Sequence, residues 1–357
     1  MPEGSQARRR EARRNESPRR GIGTVSQIVE QPASTTPLEA IYAPIADELQ
    51  ETEQILRREM RSRHPYVDEL VRYGCLLGGK RLRPALLLLT AKACGNVTPA
   101  HFTLAAVVEM VHTATLIHDD VLDEASMRRH LATVNARWDD EASVLLGDFL
   151  FSHAFYLAAT LDSTRACQLI GRATNIVCEG EIRQKGSCAD FALDEPDYLQ
   201  ILDAKTAELC ACCCHLGAHF AGVSPAMTEK LTAFGRHLGI AFQIADDLLD
   251  IVGNEAAAGK SLGTDLSQQK PTLPLIRALQ VASPDQRQTI LNAVHDSAPT
   301  STETLRTLFQ DLGVLTYTRD RAQQAAQQAL EQLADLAPSP AATSLRTLAT
   351  FVVQRSF

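Results

Sequence analysis

The sequence predicts an all-α protein, and three observations carry that prediction. Hydrophobic residues make up 45% of the chain but aromatics only 5%. The apolar bulk is therefore Ala, Leu and Val, which favours helices over sheets. No alternating strand pattern runs longer than a few residues. Finally, two apolar helical runs carry the same acidic triplet at the same spacing: Asp119, Asp120 and Asp123 in Leu116–Arg129, and Asp246, Asp247 and Asp250 in Phe242–Ile251.

Residues 1–35 are rich in Arg, Glu, Ser and Pro, with seven Arg before position 21 and no apolar periodicity. This composition reads as a disordered tail. A solvated tail is its simplest role, and contact with acidic lipid or a partner is the functional alternative. A domain is expected over 36–357. Pro37–Met60 is amphipathic, with Pro44 either kinking it or marking a helix start. Gly78–Pro84 (GGKRLRP) is a flexible turn with Lys80, Arg81 and Arg83 opening an apolar helix, an anion site in principle. Its spacing is not that of a Walker loop.

Thr103–Ile117 is apolar apart from Glu109 and His112, and leads into the first triplet. Asp119 and Asp123 lie four apart and so share a helix face, with His112 two turns upstream on that face. Glu179 and Glu181 of Cys178–Gln184 read either as groups behind the site or as exposed residues. Lys205 and Thr206 fall near a helix start. Cys210, Cys212, Cys213 and Cys214 are too crowded on one helix for a zinc site and read as small packing residues. The loop Gly253–Lys270, with Lys260 and Lys270, suits a lid over phosphate. Thr272–Leu279 and residues 303–357 return to helix, broken at Pro338–Pro340.

The chemistry follows from the triplets. Carboxylates crowded on one helix face repel unless a cation lies between them. Mg2+ takes oxygen ligands, commonly a few carboxylates, waters and substrate phosphates. Arg128 and Arg129, just after the first triplet, suit the phosphate, because a guanidinium can bind it through two parallel hydrogen bonds. Two matching triplets flanked by apolar residues read as two walls of one site.

With those residues in hand, the chain resembles the trans-isoprenyl (polyprenyl) diphosphate synthases. GGKRLRP, HTATLIHDDVLDEASMRR, KT, FQIADDLLD, GKSLGTDL and KPTLPL occur in the order and spacing of that family, from about residue 40 to the C-terminus. TVNARW, SVLLGDFLF and CEGEI resemble its longer-chain branch, such as octaprenyl diphosphate synthase. The resemblance implies a single-domain isoprenoid-synthase helical bundle around a deep central cavity, usually a homodimer. It implies that an allylic diphosphate ionises with Mg2+ and that isopentenyl diphosphate attacks the cation. A proton is then lost, by the same resemblance, to the released pyrophosphate, and the cycle repeats to build a chain for a quinone. By motif position, Asp119, Asp123, Asp246 and Asp250 hold the metal, with Asp120 and Asp247 assisting. Arg128, Lys205, Thr206, Gln243 and Lys260 hold the allylic diphosphate. Lys80, Arg83, His112 and Arg129 hold isopentenyl diphosphate. Ala114, five positions before Asp119, is small where short-chain relatives tend to have a bulky block, so a long product is expected, with Met110 and Val111 deeper as the final stop. His130 departs from the Gly that usually follows the arginine pair.

The net charge of -8 and pI near 5.7 argue against general nucleic-acid binding. Nine Cys in no disulfide-like pattern suggest a reducing cytoplasm, and no segment is read as transmembrane. Contact with a membrane is expected only through the lipid product or the basic tail. The rivals are a short-chain (farnesyl or geranylgeranyl) synthase, a non-catalytic subunit of a heteromeric synthase, and a terpene cyclase. The cyclase is disfavoured by GGKRLRP, and the silent subunit by two intact triplets.

Overall fold

The computed structural model describes residues 37–354 apart from 77, 254–263 and 297–298. Among these the only strands are the two-residue pair β1 (Met127–Arg128) and β2 (Leu131–Ala132); every other regular element is helical. The N-terminal amphipathic stretch divides at Pro44. Helix α1 (Pro37–Tyr42) ends in a tight turn, Ala43–Ile45, before α2 (Ala46–Glu59). A proline cannot donate the bond that would continue α1. Then follow α3 (Pro65–Leu76), α4 (Leu82–Ala93), α5 (Pro99–Leu122), α6 (Val134–Arg137), α7 (Asp140–Ala159) and α8 (Thr164–Gly186). Side-chain oxygens of Asp139 and Ser163 accept from backbone N–H groups in the first turns of α7 and α8, satisfying donors the helix leaves unpaired.

Helices α9 (Glu195–Leu202) and α10 (Glu208–Ala221) run together through a wide π turn, Asp203–Ala207. Lys205 and Thr206 lie on that turn, inside a continuous helix rather than at a helix start. Such bulges recur at functional sites because they re-aim side chains. Gly180 on α8 makes room for it: a Cβ there would lie 2.6 Å from the Lys205 backbone nitrogen. The longest helix, α11 (Pro225–Val252), is followed by α12 (Thr264–Ser267), α13 (Leu273–Val281), α14 (Pro284–Asp296), α15 (Pro299–Asp311), α16 (Val314–Gln332) and α17 (Pro340–Gln354). The expected C-terminal break appears before Pro340, and a second one falls at Gly313, which takes φ 69°.

Helices α4, α5, α10 and α11 pack on one another at the centre, with α7 and α2 against α5 and α16 against α11. The main core joins Leu86–Leu89 of α4 to Leu104–Val111 of α5 and the α10 cysteines. Cys210, Cys212, Cys213 and Cys214 are all buried, and burial pushes the Cys212 and Cys214 thiols up to about 12. They are packing residues, and all nine cysteines are unpaired. Among the described residues two helices, α5 and α7, are long and apolar enough to cross a membrane by length and composition. The apolar stretch of α5 is 67% buried inside the bundle, as a core helix would be; that of α7 is 44% buried.

Candidate active site

The two acidic triplets end the two central helices. Asp123 caps the C-terminus of α5, and Asp250 lies in the last turn of α11. The segment 265–270 ties one to the other. The Asp265 N–H donates to Asp250 Oδ2 at 3.2 Å, and the Lys270 N–H to the Asp265 carbonyl at 2.8 Å. The Lys270 ammonium reaches back to Asp123 Oδ1 at 3.0 Å, and Gln268 Nε2 to the Asp123 carbonyl at 3.1 Å. The two walls read in the sequence are therefore neighbours. Lys270, read there only as part of a charged loop, is the cation that joins them. Lys260 lies outside the described residues.

Within the first wall each acid has its own setting. Asp120 is buried, and Arg128 Nε donates to both its oxygens at 2.9 and 3.1 Å. Asp119 is pushed up to about 6, first by burial and then by Glu181 and Asp123, against the pull of Lys205. Burial alone would lower the Lys205 ammonium, but Asp119, Glu181 and Asp123 outweigh it and hold the group raised. Lys205 donates to Gln184 Oε1 at 2.7 Å and pairs with Glu181 Oε2 at 2.6 Å. Glu181 and Gln184 sit three apart on α8, hence on one face. That spacing was the available signal that both belong behind the site.

The second wall is wired to the π turn. Thr206 Oγ1 donates to Gln243 Oε1 at 3.0 Å, and Gln243 Nε2 donates to Asp247 Oδ1 at 2.9 Å. The other oxygen of Asp247 accepts from the Tyr198 hydroxyl at 2.6 Å. Asp247 is nevertheless pushed up to about 8, because burial and the Asp265 charge outweigh those two bonds. Asp246 is half-buried on the neighbouring face. No sequence signal singled out Tyr198, whose partner is 49 residues away.

The cationic set gathers at the start of α4. Lys80 is exposed, and Arg83 Nη1 lies 2.8 Å from His112 Nε2. Burial pushes the His112 ring well below its usual range, and the charges of Arg83 and Arg129 push the same way. A neutral His112 accepting from Arg83 fits both observations. Arg129 and His130 form the two-residue turn between β1 and β2, at φ 51° and 65°. Both positive values match the turn that two-residue hairpins prefer, normally built from Asn-Gly. His130 thus keeps the turn that Gly would make, at a steric cost. Replacing His130 with Gly is expected to stabilise the protein by about 0.5–1 kcal/mol in urea unfolding; a destabilised variant would refute the strain. Met110, Val111 and Ala114 are all fully buried along α5 upstream of Asp119.

Among the described residues, no three His, Cys, Asp or Glu side chains are placed to hold a metal by themselves. The donor set nevertheless fits Mg2+, which is commonly bound through one or two carboxylates plus substrate phosphates rather than by a protein cage. Burial first, and neighbouring carboxylates second, raise both Asp119 and Asp247, a cost that a bound cation would offset.

The sequence model of the polyprenyl synthetase family matches residues 64–312. The chain belongs to the polyprenyl synthetase family. It is 36% identical over 319 residues to the octaprenyl diphosphate synthase of Escherichia coli (strain K12), covering 89% of this chain and 99% of that one. A decaprenyl diphosphate synthase from Rhodobacter capsulatus has a similar structure, with TM-score 0.84 and 35% identity over 89% of this chain and 99% of that one. A polyprenyl synthase from Caulobacter crescentus CB15, complexed with calcium and isoprenyl diphosphate, gives TM-score 0.86 and 34% identity over 91% and 99%. As a member of this family the chain is a prenyltransferase with the all-α isoprenoid-synthase fold.

Proposed function

We propose that this synthetase is a long-chain all-trans polyprenyl diphosphate synthase, extending an allylic diphosphate with successive isopentenyl diphosphate units to a quinone-type side chain. The observation that carries the reading is the pairing of two acidic walls, bridged through Lys270 and Asp265, with a separate cationic set at the start of α4. One site suits a diphosphate that must leave, and the other a diphosphate that must stay.

Asp119 and Asp123 on one wall, with Asp246 and Asp250 on the other, would hold Mg2+. When bound, the metal supplies positive charge to the departing pyrophosphate. The chain's own groups do the rest. Lys205, Thr206 and Arg128 orient the allylic diphosphate, and Gln243 is held between Thr206 and Asp247 with its amide direction fixed. Preorganised donors of this kind stabilise developing charge without rearranging during the reaction. Arg83, Lys80 and Arg129 hold isopentenyl diphosphate with neutral His112 behind Arg83. His112, depressed by burial and cationic neighbours, is a poor base. The released pyrophosphate is the proton acceptor that the family resemblance implies.

The long product rests on Ala114, which leaves no bulky block in the turn before Asp119, and on the octaprenyl and decaprenyl names of the relatives. The test is a product profile: protein alone, farnesyl diphosphate, labelled isopentenyl diphosphate and Mg2+. A ladder ending at one long prenyl alcohol is expected, and Ala114→Phe should end it several units earlier. A stop after one addition would make it a short-chain synthase, and no product from folded protein would make it a subunit in need of a partner. An unchanged ladder in Ala114→Phe would remove Ala114 from length control.

The reading includes a homodimer. Its support is α7, which is apolar yet leaves Leu145 and Tyr156 60% and 65% exposed. They lie eleven residues, three turns, apart and share a face. Leu145→Glu with Tyr156→Glu is expected to convert a dimer to a monomer in sedimentation velocity; an unchanged dimer would place the interface elsewhere.

A further inference from the structure

Three cations stand together in GGKRLRP, but the structure treats Arg81 differently from its neighbours. Arg81 caps α4 in the left-handed region at φ 53°. That conformation is sterically costly for a non-glycine residue, so something must hold it. Its guanidinium is folded back over Gly78: a Cβ on Gly78 would lie 2.2 Å from Arg81 Nη1. There it is gripped from two helices. Nε donates to Glu53 Oε1 on α2 at 2.5 Å, and Nη1 donates to Glu109 Oε1 on α5 at 2.8 Å. Glu109 is 3% exposed, and its second oxygen, Oε2, is buried without a hydrogen bond. A buried carboxylate is costly unless paired, and the bond shown here is the one to Arg81. Glu53, Arg81 and Glu109 line one cavity of about 370 Å³, and the two carboxylates supply the polar contacts that hold Arg81 there.

We infer that Arg81 is a positioning residue: held by Glu53 and Glu109, it fixes the turn that presents Lys80 and Arg83, and so sets affinity for isopentenyl diphosphate. The inference rests on the proposed function for the identity of that ligand. A planar guanidinium can satisfy two carboxylates at once in fixed directions, and a lysine cannot. Arg81 is thus committed to Glu53 and Glu109, while Lys80 and Arg83 are the cations assigned to the diphosphate.

The alternative, in which Arg81 itself grips the diphosphate, gives the opposite sign on one substitution. Glu109→Gln would then release Arg81 and tighten binding. The positioning role requires the reverse. Isothermal titration of isopentenyl diphosphate into metal-free enzyme reads this without turnover. Glu109→Gln and Arg81→Lys are each expected to weaken the Kd about tenfold, and half-exposed Glu53→Gln somewhat less. Steady-state assays of the same variants should raise KM for isopentenyl diphosphate, with KM for the allylic substrate and kcat within about twofold of wild type. Unchanged or tighter binding in Glu109→Gln overturns the inference. So does a parallel loss for both substrates, which would mean general damage. Glu53→Gln keeps the test available if the buried variant fails to fold. A wild type that binds isopentenyl diphosphate but makes no product would count against the proposed activity and leave this inference standing.

Discussion

Asp119→Ala or Asp246→Ala is expected to lower turnover by at least about a thousandfold, measured as pyrophosphate release with Mg2+ and both substrates. Under the proposed function, each substitution removes one wall's grip on the cation that would neutralise the leaving pyrophosphate. The remaining carboxylates cannot replace it, since Asp120 is committed to Arg128 and Asp247 to Tyr198 and Gln243. Loss of fold is not the expected cause. Asp119 is already raised to about 6 by burial and by Glu181 and Asp123, so in metal-free buffer its removal relieves crowding. The Asp119→Ala melting temperature should equal or exceed that of wild type. Lys205 loses the Asp119 charge but keeps Glu181 and Gln184. Wild-type-like turnover in either variant would sink the assignment of the two acidic walls. An inactive variant that has also lost its helical signal would make the loss structural rather than chemical.

What the sequence revealed of this site, and what it hid, follows from distance along the chain. The triplets were legible because carboxylates inside apolar helical runs are a local anomaly, readable within ten residues. Glu109 and His112 were legible as polar breaks for the same reason. Their partners were not. The bond from Lys270 to Asp123 spans 147 residues, and that from Arg81 to Glu109 spans 28. Composition alone makes Lys80, Arg81 and Arg83 equivalent; motif position sets Lys80 and Arg83 apart, and the fold adds what Arg81 pairs with, Glu53 of α2 and Glu109 of α5. The π turn escaped detection because Tyr198–Leu216 holds no Gly or Pro to mark a break. Residues 127–132 escaped because two-residue strands are too short for an alternating pattern. The helical class was legible because it depends on composition and period, which need no partner.

Asp247→Asn is expected to stabilise the protein in metal-free buffer, by an amount that depends on pH. Asp247 is buried with its carboxyl raised to about 8, chiefly by desolvation and by the Asp265 charge. In the unfolded chain the same group titrates near its ordinary value of about 3.9. Between those values the folded state holds a proton that the unfolded state has released. A raised carboxyl therefore costs nothing below about pH 4, costs progressively more up to about pH 8, and costs a constant amount above that. Asparagine carries no such cost. Its carbonyl accepts from Gln243, and the Tyr198 hydroxyl can rotate to accept from its amide, so both present contacts keep a partner. The gain over wild type should be small at pH 5 and reach on the order of a few kcal/mol at pH 9, read as the difference in urea unfolding free energy. A difference that is equal at both pH values, or larger at pH 5, would remove Asp247 as the strained acid. Turnover should move the other way. Asparagine at 247 brings less negative charge to the second wall, and Gln243 then donates to a neutral oxygen. The stability lost at neutral pH by keeping an aspartate there is, on this view, tied to the activity: the carboxyl that burdens the fold is the one that fixes the Gln243 amide beside Thr206.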